Sequence, residues 1–275
     1  MQNYQLIAMD MDGTLLNSKK EISSENRSAI AKAAAAGKTV VLSTGRSLAE
    51  LKPYVNQLPE IRYLDCLSGA LVYDLKEKKT LFRHSLTPEL VLQIIEISKQ
   101  EDVMLHLLTE NCIVQRDRWE QIERYGMAIY KELFAVVADK WENLTQQYIE
   151  NPFPVDKLNF YCITPRSRER IRQQIQAAGL PVTMVYAETT ALEISAQGVD
   201  KGVGLKKLCE ILSIPLSETI VAGDADNDLK ALQTAGLAVA MGNANDDIKK
   251  IADIVVADCD HDGCAEAIYT YLLPA

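Results

Sequence analysis

Asp10-Met11-Asp12-Gly13-Thr14 puts two carboxylates one residue apart, directly after the apolar run Leu6-Ile7-Ala8-Met9. Extended backbone sends alternate side chains to one side, so Asp10 and Asp12 point together if that geometry continues. Carboxylates held that close repel, which favours a cation between them or a raised pKa on one. Gly13 lets the chain turn sharply away. A polar loop after a strand has the same look. A second acidic segment, Gly223-Asp224-Ala225-Asp226-Asn227-Asp228, carries three acids in five positions, a costly arrangement without a neutralising cation. Thr44 and Gly45, in Ser43-Thr44-Gly45-Arg46, offer a hydroxyl and a backbone amide that suit phosphate oxygens, although Thr-Gly is also ordinary turn chemistry. Lys201, in Asp200-Lys201-Gly202, offers an ammonium just before a helical stretch, where a lone lysine is more often solvated.

Such segments need a scaffold that brings them together. Apolar runs over 6–9, 39–43, 63–67, 219–222, 237–241 and 254–257 read as strands. Helical patterns over 25–36, 48–55, 203–212, 229–235 and 246–252 separate them. This alternation predicts βα units and an α/β fold with a doubly wound, Rossmann-like parallel sheet. Ligands of open α/β sheets bind beyond the carboxyl ends of the strands, and all four segments fall at or beside predicted strand ends. The middle of the chain differs. It reads as a helix over 88–100, a hairpin of 103–108 with 112–115 around Thr109-Glu110-Asn111, and a strand over 157–163. The expected organisation is a discontinuous core, 1–82 and 191–275, with an inserted α+β domain over 83–190.

Among 275 residues, 29 Lys+Arg face 38 Asp+Glu, a net charge of -9 that argues against a nucleic-acid partner. Apolar residues make up 48%, an ordinary globular content. The N-terminal stretch lacks the basic and long apolar regions of a secretory signal, and no apolar run has the length of a membrane span. A soluble, cytoplasmic protein with no membrane partner is expected. The six cysteines form no CxxC and read as buried, reduced thiols. Asp258-Cys259-Asp260-His261-Asp262-Gly263 mimics the opening of a calcium loop, but Tyr269 falls at the twelfth position, where a glutamate is required. Cys259, His261 and Cys264 lack the second ligand pair of a zinc site.

Taken together, the four segments resemble the haloacid dehalogenase superfamily. Asp10 to Thr14 matches its DxDGT signature, Thr44 its Ser/Thr motif, Lys201 its Lys motif and Gly223 to Asp228 its GDxxND motif. Thr44-Gly45-Arg46, Asp200-Lys201-Gly202 and Ala240-Met241-Gly242-Asn243-Ala244 are similar to the Cof-type branch, whose large α/β cap is of the type called C2B and which includes sugar phosphatases. The resemblance runs along about 5–75 and 190–270. Leu67-Ser68-Gly69-Ala70 stands where the branch usually has Asn-Gly-Ala, and Cys264 replaces the usual aliphatic residue after Asp262-Gly263.

The resemblance implies a phosphomonoester hydrolase acting on small phosphorylated metabolites, sugar phosphates foremost. Asp10 would be the nucleophile that forms an aspartyl-phosphate, and Asp12 the general acid and base. Mg2+ would be held by Asp10, Asp12 and Asp224, with Asp228 as a water-mediated or supporting ligand. Met11, Thr44, Gly45, Lys201 and Asn227 would hold the phosphoryl oxygens. Arg46 has equal claims to phosphate and to solvent, and Asp226 reads as exposed. The insert should select the leaving group, with Arg116, Asp117, Arg118 and Lys157 as polar candidates and Trp119 and Trp141 as core. A phosphomutase or phosphotransferase on the same fold is the alternative, followed by a non-catalytic binding module.

Overall fold

The computed structural model describes residues 3–187 and 189–273. Its fourteen strands are β1 Leu6–Met9, β2 Thr39–Ser43, β3 Tyr63–Cys66, β4 Leu71–Asp74, β5 Lys79–Arg83, β6 Val103–Leu108, β7 Cys112–Gln115, β8 Ala138–Trp141, β9 Lys157–Cys162, β10 Val182–Ala187, β11 Ala191–Ala196, β12 Thr219–Gly223, β13 Leu237–Ala240 and β14 Ile254–Val255. The chain divides into two compact units. One comprises residues 1–45, 52–83 and 200–275; the other comprises 46–51 and 84–199.

The first unit carries an eight-stranded sheet in the order β14-β13-β12-β1-β2-β3-β4-β5. The six strands from β14 to β3 are parallel, and β4 and β5 extend the sheet antiparallel. Parallel strands covered on both faces need continuous apolar runs, and every residue of β1 is buried. The register aligns the strand ends: Met9 of β1 pairs with Leu42 of β2 on one side and with Ala222 of β12 on the other. Asp10, Ser43-Thr44 and Gly223-Asp224 therefore leave the sheet at one level.

Helix Lys201–Leu212 packs Leu205, Leu208 and Cys209 against Leu6, Ala8, Val41 and Val221. Lys201 lies one turn before Leu205 on that same stripe, which takes its side chain inward. The sequence places Lys201 ahead of the helix; in the structure it is the first helical residue, because Asp200 Oδ1 accepts the Val203 amide at 3.0 Å and caps the end.

The second unit carries a six-stranded sheet, β10-β11-β9-β6-β7-β8, antiparallel throughout except for β7 with β8. Helices Pro88–Ser98 and Pro165–Ala177 pack on each other, burying Val91, Ile94 and Ile95 on one and Ile171 and Ile175 on the other. Thr87 and Thr164 cap them ahead of proline at the first helical turn. The expected hairpin of β6 with β7 is present. The expected end of the insert at residue 190 is not, since β11 pairs with β10 and β9 and carries the unit on to Val199. Trp119 and Trp141, expected in the core, are half-buried. Lys140 Nζ lies 4.6 Å from the Trp119 ring centroid, and Trp141 meets Phe153 edge-on at 6.2 Å.

Asp65 on β3 is an acid inside the first unit, 1% exposed. Ser43 Oγ donates to its Oδ2 at 2.7 Å, while Oδ1 is buried without a partner. A Cβ on Gly204 would lie 1.9 Å from that Oδ1, so glycine is what lets the helix close over the carboxyl. Burial pushes the Asp65 pKa up to about 7, against the Ser43 hydrogen bond and the Lys201 charge. From the ordinary carboxylate range up to about 7 the folded protein thus binds a proton that the unfolded chain has released, and stability falls as pH rises through that window. Thermal melts at a series of pH values should show wild type losing stability relative to Asp65→Asn between about pH 5 and pH 7. Parallel curves for the two proteins would contradict this assignment.

Candidate active site

Lys201 gathers the site. Its Nζ lies 2.5 Å from Asp10 Oδ1 and 2.6 Å from Asp228 Oδ1, and the ammonium side chain is 1% exposed. Burial by itself would push the lysine pKa down, but the two carboxylates outweigh it and hold the pKa above its ordinary value. Asp228 Oδ2 accepts the amides of Asp224 and Ala225 at 3.1 and 3.2 Å, which folds the 223–228 turn onto its own carboxylate.

Asp224 follows β12, and its Oδ1 accepts the Thr14 hydroxyl at 2.9 Å. Gly13 has φ +85, and a Cβ there would stand 2.5 Å from Asp224 Oδ2. Glycine is therefore required by the backbone turn and by the close approach of Asp224. Carboxylate oxygens of Asp10, Asp224 and Asp228 lie within 4.8 Å of one another. Burial raises the Asp10 pKa well above the ordinary range, and Asp228 and Asp224 add to it against the pull of Lys201. Asp224 is pushed up to about 6, by burial first and by Asp228 next.

Three carboxylates against one ammonium leave a buried excess of negative charge that one divalent cation would cancel. All the donors are oxygens, the set a hard cation such as Mg2+ takes. Asp10 and Asp224 are the ones open to direct ligation. Asp228 already spends both oxygens on Lys201 and two amides, which suits a supporting role.

The remaining expected residues are divided between the two units. Asp12 is half-buried and pairs with Lys20 Nζ at 2.8 Å. Met11 is buried, with its carbonyl accepting the amides of Thr14 and Leu16. Thr44 is buried at the end of β2, its amide on Asp65 O and its carbonyl taking the Ser68 amide. Gly45 follows it. Asn227 Oδ1 is buried and has no hydrogen-bond partner, an acceptor that the protein itself leaves unused. Asp226 is exposed and accepts from Asn245 Nδ2. Arg46 is 6% exposed and lies 5.6 Å from the Tyr130 ring centroid, so of its two expected roles the solvated one is excluded. Of the polar candidates in the insert, Arg116 and Asp117 are exposed and Arg118 pairs with Asp102. Lys157 is buried and pairs with Glu193 at 2.7 Å.

A sequence-family model of haloacid dehalogenase-like hydrolases matches residues 7–268. The chain belongs to that family. The phosphatase YwpJ of Bacillus subtilis is 30% identical over 283 aligned residues, covering 95% of this chain and 97% of YwpJ. The pyridoxal phosphate phosphatase YbhA of Escherichia coli is 27% identical, covering 98% and 99%. A solved haloacid dehalogenase-like hydrolase from B. subtilis superposes with a TM-score of 0.84 at 28% identity, covering 98% of this chain and all of the other. This haloacid dehalogenase-like hydrolase is an enzyme of the phosphatase type.

The contacts of several further residues of the hydrolase are not legible in the sequence. Thr14 stands in the DxDGT signature, and its hydroxyl orients Asp224. Lys20 reaches Asp12, and Asn243 Nδ2 donates to the Gly13 carbonyl at 2.8 Å. Leu67 and Ser68 both have positive φ (55 and 56), a strained turn beside the Thr44 backbone that no sequence signal announces. Gly13→Ala should destabilise the protein by about 1–3 kcal/mol in urea unfolding, through backbone strain and displacement of Asp224. Unchanged stability would show that Gly13 is not constrained as described.

Proposed function

We propose that this phosphatase hydrolyses small phosphomonoesters, sugar phosphates among them, in a Mg2+-dependent reaction through an aspartyl-phosphate on Asp10. The observation that carries the reading is the buried Lys201 ammonium between Asp10 and Asp228 at the carboxyl end of the central parallel strands. The named substrate of YbhA, pyridoxal phosphate, is a small phosphate ester, which supports the substrate class. The first unit would act as the catalytic core and the second as the substrate-selecting cap.

Asp10 Oδ2, the oxygen not engaged by Lys201, attacks phosphorus; the P–O bond to the leaving alcohol breaks and an acyl phosphate forms. Asp12 gives its proton to the departing alkoxide and then takes one from the water that cleaves the acyl phosphate. Lys20, paired with Asp12, holds that carboxyl in place. Thr44, the backbone at Met11 and Gly45, Lys201 and Asn227 hold the phosphoryl oxygens, and Asn227 Oδ1 is left free to accept from a water or a substrate hydroxyl. Asp10, the Asp12 carbonyl and Asp224 would hold Mg2+, which would supply the positive charge that lets an anionic nucleophile approach an anionic ester. Such catalysis is mostly positioning and electrostatics.

Phosphate release from a panel of small phosphate esters, with Mg2+ and with chelator, tests the reading. Wild type should release phosphate only with Mg2+, and Asp10→Asn should release none. Lys201→Met should lose about 10²–10³-fold in kcat, the worth of one preorganised donor. Release that persists in chelator or in Asp10→Asn would overturn the assignment.

A further inference from the structure

A second group of ligating side chains lies in the other unit. Glu50, His106 and Cys112 are all buried, and their carboxylate oxygen, ring nitrogen and sulfur lie within 4.8 Å of one another. We propose that these three residues form a metal site that takes a zinc-like transition-metal ion, separate in chemistry from the carboxylate cluster around Asp10.

The fold fixes each donor. His106 and Cys112 sit on adjacent antiparallel strands, where Leu108 pairs with Cys112 and His106 with Val114. Both side chains therefore project from the same face of the sheet on neighbouring diagonal positions. His106 Nε2 is 2.9 Å from Cys112 Sγ. Glu50 comes from the first turn of helix Leu48–Val55, whose Ala49 amide donates to Glu110 O at 3.0 Å in the turn joining the two strands. Ser47 donates its amide and hydroxyl to Glu50 Oε2 at 2.8 and 2.9 Å, which orients the carboxylate and leaves Oε1 for an ion.

The surroundings match what a histidine ligand needs. His106 Nδ1 lies 3.1 Å from the Tyr161 hydroxyl, which also accepts Asn159 Nδ2 at 3.1 Å. With Nε2 on a metal, Nδ1–H donates to that hydroxyl oxygen, the outer partner that fixes the tautomer of a ligating histidine. Asn159 is the register partner of His106, is 5% exposed, and leaves Oδ1 buried without a partner, an acceptor for a water in the fourth coordination position.

Charge argues the same way. Burial pushes the His106 pKa down to about 4, so the ring is the neutral form that binds metal, and burial raises the Cys112 pKa, so without an ion the thiol keeps its proton. Binding replaces that proton: the S–H bond breaks, the proton goes to solvent and the thiolate lone pair bonds the ion. A divalent ion with one thiolate, one carboxylate and a neutral imidazole is uncharged overall, the state that burial favours. Thiolate, imidazole and carboxylate together are a zinc donor set, with three protein ligands and one open position.

The test is a cobalt titration of metal-depleted protein in excess Mg2+, which keeps the Asp10 cluster occupied. Wild type should bind one Co2+ with a thiolate-to-cobalt charge-transfer band, intense visible bands of a four-coordinate ion and release of one proton; Zn2+ should displace the cobalt. Cys112→Ser, nearly isosteric, should lose the charge-transfer band, and Glu50→Gln should weaken binding. Tyr161→Phe should keep the band but weaken binding by about tenfold, as loss of an outer-shell partner does. No thiolate band in folded wild type would overturn the proposal, leaving the three residues as a hydrogen-bonded core cluster. A band that survives in Cys112→Ser would overturn it as well, by assigning the metal to another cysteine.

Discussion

One ammonium among buried carboxylates is the constraint on which the rest of the site depends. Lys201 can be nearly inaccessible only because Asp10 and Asp228 sit 2.5 and 2.6 Å from its Nζ. Removing one member of such a buried set leaves a charge without compensation, which costs about 3–5 kcal/mol. The sheet register serves this contact. Paired at Met9, Leu42 and Ala222, the strands deliver Asp10, Thr44 and Asp224 to one level, and the stripe of Leu205, Leu208 and Cys209 drives the helix carrying Lys201 down onto them.

The same charge logic separates the two units. In the first, burial raises the pKa values of Asp10 and Asp224, and the neighbouring carboxylates add to it against the pull of Lys201. Oxygen donors alone make up that cluster, the set that suits a hard cation. In the second, Lys157 and Glu193 cancel each other and His106 is held neutral, so the buried polar groups of its sheet carry little net charge. Hydroxyl, amide, imidazole and thiol groups predominate there, which suits softer chemistry.

The parallel sheet was legible because buried strands such as Leu6–Met9 and Thr39–Ser43 are unbroken apolar runs, and because glycines and acids punctuate their ends. The four motif segments were legible from their residue types and order, and the family match covers the span they occupy. Contacts set by tertiary approach were not. Nothing in Leu71–Asp74 and Lys79–Arg83 announces an antiparallel extension of the sheet. The end of the insert is not legible because Ala191–Ala196, apolar like a core strand, takes its partners from the other sheet. Trp119 and Trp141 are large enough to look like core, yet their amphipathic rings lie half in solvent beside Lys140 and Phe153. Glu50, His106 and Cys112 come from three elements, so no spacing rule could join them.

The central claim is that the carboxylate tied to Lys201 becomes covalently phosphorylated. Borohydride reduction during turnover of a small phosphate ester, followed by peptide mass spectrometry, addresses it directly, because an acyl phosphate is reduced to an alcohol while a free carboxylate is not. The account predicts homoserine at position 10, formed only when substrate and Mg2+ are both present. Turnover under the same conditions with Asp10 unmodified, or with the reduced residue at another aspartate, would contradict it.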